Sequence, residues 1–555
     1  MLKIITLVLG SMLFAFNLHA VVYNSSLPSI TPLSQEFRNE ITQYIEKALL
    51  LANQQQPIDL PDTLTKKWDN SIQTTDWDIS LTLFQHGEQV AYSHYHGKHL
   101  VNTLNRGTEA LVKSQPNLSD LKSARIIITF NYYPASQFSF ISWQNTGLEL
   151  IGKRVAIRAL NTAQLQQTIQ NGAHYLLQAI NPTWHGVYKF YNAKQNIPQN
   201  KLRTIYTSST LYTLLKVNKR YPSIEITQLI NPIAKFILSM QIQGGKNQGA
   251  FYYGFKLPKG VHTNTVVVGT TSKAIFTLIE LYKLYHDPRY LTAAKYAGNW
   301  LITRVNPDAT IIAKSDYIHD LWKDSIKQSY LYSGQVLSAL SRLYILTEDP
   351  KYYQAATIIA KSFIKTVNQQ CLPVSDDYRD KHPVSTSWVM MALIDYAKIE
   401  KDREAIATIK TISQYLASTQ INAPFDIEND GRFTEATTPS GNGWINEVFG
   451  EYQRFCLEAN LKNCEQYVPN MIKVSRWLIQ NAYTPENTYD IKDPTQALGG
   501  FINTVFDGSV RTDSVCHGVN SLIYLLDAIG DKNQLLLYLP ERPFTEILSD
   551  LRVGL

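Results

Sequence analysis

A polar segment near the end of the chain carries three residue types that together could transfer a proton. Arg511, Asp513 and His517 lie close together, and Asp513 and His517 are spaced so that on a helix they share a face. Epimerisation or β-elimination of a uronic acid needs a cation beside the substrate carboxylate and a base that takes the neighbouring proton. The structural alternative is that Asp513 caps the helix, Arg511 pairs with Asp513, and His517 is a core histidine.

Other polar segments supply candidates for the same chemistry. Tyr206 and His319 are further candidates for catalytic acid or base, and Arg203 and Arg432 could hold a carboxylate. We expect the substrate to contact aromatic, acidic and basic residues from several segments. These residues are Arg203, Tyr253, His262, Asp316, Tyr317, Trp388, Arg432, Trp444 and Glu447.

Hydrolysis of a glycosidic bond is an alternative reaction. It needs two carboxyl groups, about 5–5.5 Å apart for retention and roughly 6.5–9.5 Å apart for inversion. The loops contain many carboxylates that could serve, although Asp is common in loops because it forms turns. They are Asp316, Asp320, Asp324, Asp426, Glu428, Asp430, Glu435 and Glu447. A third alternative is a scaffold that binds a glycan or a protein without catalysis.

Each polar segment opens a helix that is apolar nearly all round. Such a helix must be buried, and the openings recur every ~60 residues, a period typical of repeat architectures. Six buried helices with polar openings at one end predict a ring with one shared mouth. The openings are 203–212, 262–273, 328–335, 382–388, 441–447 and 511–517.

A second set of helices alternates with the buried set. Asp287-Pro288 and Asp349-Pro350 mark the starts of two of them, with Asp as the cap and Pro in the first turn. Short connections predict antiparallel neighbours. The sequence therefore predicts a mainly α protein, with an (α/α)6 toroid over 163–530 preceded by a small α+β domain.

The hairpin pattern also resembles a known superfamily. Outer helices start with Asp-Pro-Arg-Tyr or Asp-Pro-Lys-Tyr, and Gly-x-Phe segments follow outer helices at 249–251 and 499–501. This pattern resembles the six-hairpin glycosidase-like superfamily, and the nearest analogues are the C-terminal domain of glucuronyl C5-epimerase and N-acylglucosamine 2-epimerases. The resemblance covers 163–530 and includes no family's catalytic signature. It implies an activity on a poly- or oligosaccharide at the toroid mouth.

The first and last parts of the chain differ from the toroid. Residues 1–20 contain one Lys, an apolar run and a small residue at Ala20, which predicts a signal peptide and export to the periplasm or medium. We expect a leader over 21–33, the α+β domain over 34–158, and a tail over 531–555 outside the ring. No later segment is apolar enough to cross a membrane. Cys456 and Cys464 flank a turn and could form a disulfide, with buried free thiols as the alternative.

Composition and motifs argue against nucleic-acid binding and against a metal site. The net charge of +6 comes from dispersed Lys and Arg, without a nucleic-acid motif, so we expect no nucleic-acid partner. Cys516-His517-Gly518 resembles the last zinc motif of lanthipeptide cyclases, but the Cys that should follow an upstream Trp is missing. The segment 376–380 matches the Asp-Asp-x-x-Asp motif of isoprenoid synthases, although a solvated turn fits its Pro-flanked loop better. The His-rich turn at 86–99 fits no closed metal site. We expect neither a metal nor a cofactor.

Overall fold

A computed structural model describes residues 35–54, 56, 77–114, 123–132, 136–143, 146–369, 372–504, 506–530 and 535–539. The expected signal peptide (1–20) and leader (21–33) lie outside these residues. Within the described residues, no helix combines the length and the apolar character needed to span a membrane.

The N-terminal region forms a small α+β unit. Its described strands make an antiparallel sheet in the order β2-β1-β3-β4-β5-β6. Alternate residues of the first strand, from Trp77 to Leu83, are buried against two helices, as the period of a half-buried strand requires. The elements are α1 (Gln35–Asn53), β1 (Trp77–Gln85), β2 (Glu88–Gly97), α2 (Leu100–Ser114), β3 (Arg125–Tyr132), β4 (Ser136–Ile141), β5 (Leu148–Ile151) and β6 (Arg154–Val155).

The rest of the described chain is built around a ring of inner helices. They are buried on nearly every side; in the fourth, every residue from Ser385 to Ala397 is buried. Each inner helix contacts the next, and the last contacts the first, which closes the ring. The described inner helices are α4 (Thr204–Arg220), α6 (Val268–Tyr285), α8 (Tyr330–Thr347), α10 (Pro383–Ala397), α12 (Pro439–Glu458) and α15 (Thr512–Ile529).

Outer helices alternate with the inner ones. Asp287 caps one of them by accepting a hydrogen bond from the Arg289 backbone N–H, and Pro288 occupies its first position, as the sequence predicted. Ala293, Ala294 and Ala297 are buried where this helix packs on its neighbours. The described outer helices are α3 (Thr162–Gln178), α5 (Ile224–Ser239), α7 (Pro288–Ile302), α9 (Pro350–Gln369), α11 (Arg403–Ser418) and α13 (Val468–Gln480). The predicted (α/α)6 toroid is thus confirmed.

Short strands lie at the end of the ring where the inner helices begin. Three of them run directly into inner helices: β10 into α4, β13 into α6 and β16 into α15. This end is the mouth. The strands are β8 (Phe190–Asn192), β9 (Ile197–Pro198), β10 (Lys201–Arg203), β11 (Gly254–Lys256), β12 (Val261–His262), β13 (Thr265–Val267), β14 (Lys314–Ile318), β15 (Leu321–Asp324) and β16 (Val510–Arg511), and a short helix α14 (Pro494–Ala497) lies in the last loop.

The N-terminal unit packs against mouth loops of the toroid. The buried guanidinium of Arg154 lies 2.9 Å from the Glu428 carboxylate. Gly87, at the turn between β1 and β2, has a φ of +79° and lies against the Ile491 carbonyl, where a Cβ would come within 2.6 Å of backbone atoms. Only glycine fits this contact without a shift, so the turn is docked closely on the mouth loop.

Two further contacts fix the periphery of the toroid. A disulfide joins Cys456 and Cys464, the first of the two alternatives that the sequence left open. In the tail, β17 (Leu536–Tyr538) pairs with β7 (Leu160–Asn161) at the start of the first outer helix. The Tyr538 hydroxyl donates a hydrogen bond of 2.7 Å to Asp430.

Candidate active site

His517 occupies the floor of the mouth and is held by one of its two ring nitrogens. Its Nδ1 lies 2.8 Å from Oε2 of Glu447, and the Asn520 amide donates to the other oxygen of the same carboxylate at 3.1 Å. Nε2 has no hydrogen-bond partner among the described residues. A carboxylate that fixes one nitrogen of an imidazole orients the ring and leaves the other nitrogen free for proton transfer.

Glu447 is suited to this supporting role. Its side chain is buried, which alone would raise the pKa of its carboxyl. The hydrogen bond and charge of His517, together with the more distant Lys216 and Lys273, outweigh burial and lower the pKa of Glu447 below its usual value. Glu447 therefore stays ionised beside the imidazole.

Two stacked tryptophans complete the floor. The rings of Trp388 and Trp444 lie 3.6 Å apart, and His517 meets Trp444 edge-on at 5.0 Å. The Lys273 ammonium lies beside this pair, 5.0 and 5.2 Å from the two ring centres. Burial lowers the pKa of Lys273 to about 8. The space enclosed among these side chains is about 20 Å³, roughly enough for one water molecule. A substrate must therefore rest on this floor from the mouth side.

The rim above His517 is built on the first residues of the last inner helix. Arg511 holds Asp513 through two hydrogen bonds of 3.1 and 2.7 Å, and Ser440 donates to the same carboxylate at 3.0 Å. Burial would raise the pKa of Asp513, but Arg511 and, more weakly, His517 lower it. The structural alternative combined an Arg511–Asp513 pair with an Asp513 helix cap. The pair is present, but the cap is not, because α15 begins without a side-chain cap.

Tyr206 joins the same rim. Burial, reinforced by Asp513, raises the pKa of Tyr206 well above its usual value, although the nearby Arg511 lowers it in part. The phenol therefore stays protonated at neutral pH and can act only as a donor of a proton or a hydrogen bond.

Cations outnumber carboxylates around Tyr206. Lys189 lies 6.0 Å from the Tyr206 ring, and burial, followed by the charges of Arg511 and Arg203, lowers the pKa of Lys189. Arg203 stacks on Tyr253 at 4.6 Å and has no carboxylate within 4.0 Å among the described residues. Lys189, Arg203 and Arg511 thus face a single described carboxylate, Asp513, and the excess positive charge favours an anionic ligand.

Other predicted site residues lie outside this group. His262 is exposed and stacks on Tyr252 at 4.4 Å; it lies on β12, which β11 separates from Arg203 on β10. Tyr317 and His319 are exposed near the tip of the hairpin formed by β14 and β15, while Asp316 at its base accepts a hydrogen bond from Thr265 at 2.7 Å. Arg432 bonds to Asn429 at 2.8 Å within its own loop.

The motifs set aside in the sequence also have local roles. Cys516 is buried, with its sulfur 3.7 Å from the Thr210 hydroxyl, and burial raises the pKa of its thiol to about 12. Asp376 accepts hydrogen bonds from backbone N–H groups of its loop and of Tyr330. His94 pairs with Asp78. The described residues contain no cluster of His, Cys, Asp and Glu arranged to bind a metal.

Lys189, Lys273 and Asn520 were not among the predicted site residues. A usable signal existed for Lys273, because it is the fifth residue after the first residue of its helix, Val268. Trp388, Trp444 and His517 stand at the same offset from Pro383, Pro439 and Thr512. Helices that start at one level place equal offsets at equal depth. No comparable signal marks Lys189, which lies in a loop.

Comparison with known proteins supports the fold. No family model and no curated protein matches the sequence. Among solved structures, a D-mannose isomerase is 13% identical and superposes with a TM-score of 0.51, covering 65% of this chain and 97% of its own. A cellobiose 2-epimerase from Bacillus thermoamylovorans B4167 is 11% identical, with a TM-score of 0.51 and coverage of 66% and 98%. The chain therefore shares the fold of these structures, an (α/α)6 toroid.

Proposed function

We propose that the protein is a carbohydrate-active enzyme that removes a carbon-bound proton beside the carboxylate of a uronic acid, and either returns a proton to that carbon as an epimerase or expels the leaving oxygen as a lyase. One observation carries the proposal: His517 has one nitrogen fixed by buried Glu447 and the other free, beneath a rim with excess cations. A base next to a carboxylate-binding group is the pair that this chemistry requires.

Each residue has a distinct role in the proposal. Arg511, Arg203 and Lys189 hold the substrate carboxylate and stabilise the negative charge that develops as the neighbouring carbon loses its proton. Nε2 of His517 takes that proton. Tyr206, protonated because of its raised pKa, donates a proton to the opposite face in an epimerase or to the leaving oxygen in a lyase. Glu447 positions the imidazole and stabilises its charged form.

The alternative reactions have less support. A glycoside hydrolase needs a carboxyl group that is protonated at working pH, which requires a raised pKa. Glu447 and Asp513, the carboxyls beside His517, both have lowered pKa values and are both engaged by cations or donors. A scaffold that only binds glycans would not need an oriented imidazole with a free nitrogen. The two solved structures compared are named for sugar isomerisation and epimerisation, which supports a carbohydrate substrate.

The test is incubation of the protein with oligosaccharides of glucuronate, galacturonate and mannuronate in deuterated water, followed by NMR and mass spectrometry. Deuterium at C5 without cleavage identifies an epimerase, and an unsaturated product identifies a lyase. Gain of water with shorter chains would replace the proposal with hydrolysis. Binding without any product would leave a scaffold. His517→Ala is the matched variant, and exposed His174 on α3 supplies the control His174→Ala.

We further propose that the chain is exported, with residues 1–20 removed and the limits 34–158, 163–530 and 531–555 for the α+β domain, toroid and tail. The leader-like segment and the Cys456–Cys464 disulfide support this, because disulfides persist in oxidising compartments. N-terminal sequencing of the mature protein should begin at Val21. A cytoplasmic protein that retains Met1 would contradict the proposal.

A further inference from the structure

We infer that the toroid carries a second carbohydrate site, a cavity beside strand β8 that binds a neutral sugar unit. The cavity has a volume of about 560 Å³ and lies between the end of α3, the hairpin of β8 and β9, and α5. Sites for small molecules typically have volumes of roughly 300–1,000 Å³. The cavity is therefore large enough for a short oligosaccharide, unlike the enclosed space below the mouth.

The lining of this cavity is aromatic and contains neutral polar groups. Tyr188, Phe190 and Tyr191 supply rings, and the polar lining includes Asn196 and Gln496. Among the described residues that line it, none is a carboxylate, lysine or arginine. A carboxylate, phosphate or sulfate would find no lysine or arginine there, and His185 is the one imidazole among the described lining residues. A pyranose offers a flat apolar face and a hydroxyl edge, which match rings and amides.

The side-chain amides of Asn196 and Gln496 use only some of their hydrogen-bonding atoms within the described protein. The Tyr191 hydroxyl donates to Oδ1 of Asn196 at 2.9 Å, and Nε2 of Gln496 donates to Oε1 of Gln178 at 3.2 Å. The described residues supply no partner for Nδ2 of Asn196 or Oε1 of Gln496. The cavity lining therefore keeps one donor and one acceptor, to which the hydroxyls of a sugar can hydrogen-bond.

The cavity and the rim share one segment, 188–191, in which β8 begins. Phe190 in β8 pairs with Arg511 in β16, and the Thr512 backbone donates to the Lys189 carbonyl at 3.1 Å. The Lys189 side chain reaches the rim cations, while Tyr188 and Phe190 line the cavity. One consequence rests on the proposed function: if that function holds, the polysaccharide carries neutral sugars near the uronic acid.

A pair of variants on α5 tests the cavity without touching the rim. Leu229 lines the cavity, and its neighbour Gln228 is exposed and does not. Leu229→Trp should fill the cavity, whereas Gln228→Trp adds the same side chain outside it. The probes are neutral gluco-, galacto-, manno- and xylo-tetrasaccharides, with binding measured by calorimetry on the full chain and folding checked by Tm.

We expect at least one neutral tetrasaccharide to bind the unmodified protein and Gln228→Trp with equal Kd, and Leu229→Trp to weaken it at least tenfold. Gln496→Ala, a smaller change at the wall, should weaken it severalfold and serves if Leu229→Trp fails to fold. No binding by the unmodified protein, or binding unchanged in Leu229→Trp and Gln496→Ala, would overturn the inference. So would binding confined to acidic oligosaccharides.

A separate readout distinguishes this inference from the proposed function. Deuterium exchange into an oligouronide reports the rim and floor, and it should be the same in Leu229→Trp and Gln228→Trp. If neither exchange nor an unsaturated product is seen while neutral binding is lost in Leu229→Trp, the proposed function fails and the second site stands. If exchange occurs while no neutral sugar binds, the second site fails alone.

Discussion

The two ends of the ring both bury charged groups, but they pair them differently. At the end opposite the mouth, Glu451 is buried and is shared by Lys398, by Arg454 at 2.6 Å and by the Tyr524 hydroxyl. Arg342 is satisfied there by Asp395 at 2.9 Å. At the mouth, cations exceed carboxylates and one imidazole nitrogen is free. Paired buried charge fixes the packing of inner helices, whereas unpaired groups at an open end are available to a ligand.

His517→Ala should produce the largest effect, because it removes the proposed base from the mouth. We expect a loss of about 10²–10⁴-fold in kcat, with little change in Tm. The assay is C5 deuterium exchange on the substrate identified in the screen. A loss of Tm that parallels the loss of rate, or the same loss in His174→Ala, would mean that His517 serves packing.

Glu451→Gln tests the opposite end. Removing one partner of a buried ionic group leaves the others uncompensated, so we expect roughly 3 kcal/mol less stability at pH 7, with kcat unchanged. Burial raises the pKa of Glu451, but Lys398, Arg454 and Arg342 lower it well below its usual value. The stability that ionised Glu451 contributes is therefore fully present above the pKa of this carboxyl in the unfolded state. It is lost as the pH falls through the lower pKa of the folded state.

The measurement is denaturant unfolding between pH 7 and pH 3. The difference between the unmodified protein and Glu451→Gln should shrink at acid pH. Glu458→Gln, an exposed carboxylate on the same helix, should be nearly neutral throughout. A large loss of kcat in Glu451→Gln with normal stability would erase the distinction between the two ends.

Lys273→Met should stabilise the protein at neutral pH. The pKa of Lys273 falls from 10.5 to about 8 through burial, a difference worth on the order of 3 kcal/mol. Below about pH 8 both states are protonated, and the folded state bears the cost of burying the charge. As pH rises from about 8 to 10.5 the folded state loses its proton first, so the cost disappears.

Unfolding curves at pH 7 and pH 10 measure this effect. The gain in Lys273→Met should be present at pH 7 and fall to roughly a quarter of that value at pH 10, while Lys283→Met, exposed on the same helix, should show no gain. A loss of stability in Lys273→Met at pH 7 would show that the ammonium is compensated by the rings and by Glu447.

Arg203→Met should have the smallest effect and should be confined to binding. Loss of one charged contact to a substrate carboxylate corresponds to about tenfold in KM. The effect should decrease at high salt, because the rim is accessible to solvent ions. Arg220→Met, at the other end of the same helix and paired with Asp527 at 2.6 Å, should leave KM unchanged. Equal KM for acidic and neutral oligosaccharides in the unmodified protein would remove the role of Arg203.

The sequence was sufficient for the ring and for part of the floor. Helices without a polar face could only be buried, and Asp-Pro starts marked the outer set. Trp388, Trp444 and His517 were predicted singly, and their equal offset from the helix starts could have grouped them. It was harder to predict that Glu447 lies beside His517 and Tyr206 near Arg511. Glu447 comes from the neighbouring inner helix, and Tyr206 from the first inner helix, which contacts the last inner helix only when the ring closes.

Helical periodicity could not predict the positions of loop residues. The position of Lys189 depends on β8 pairing with β16, a contact between the first and last mouth loops. His319 and Arg432 were candidates for the same chemistry, yet one lies at a hairpin tip and the other bonds within its own loop. Periodicity fixes depth along a helix, but it carries no information on where a long connection folds back.

The most direct measurement is deuterium incorporation at C5 of a uronic-acid oligosaccharide in deuterated water, with the unmodified protein, His517→Ala and His174→Ala in parallel. The proposal predicts incorporation, or an unsaturated product if the enzyme is a lyase, with the unmodified protein and with His174→Ala, and a reduction of at least about 10²-fold with His517→Ala. Equal incorporation by all three proteins, or release of shorter saturated chains without deuterium at C5, would contradict it.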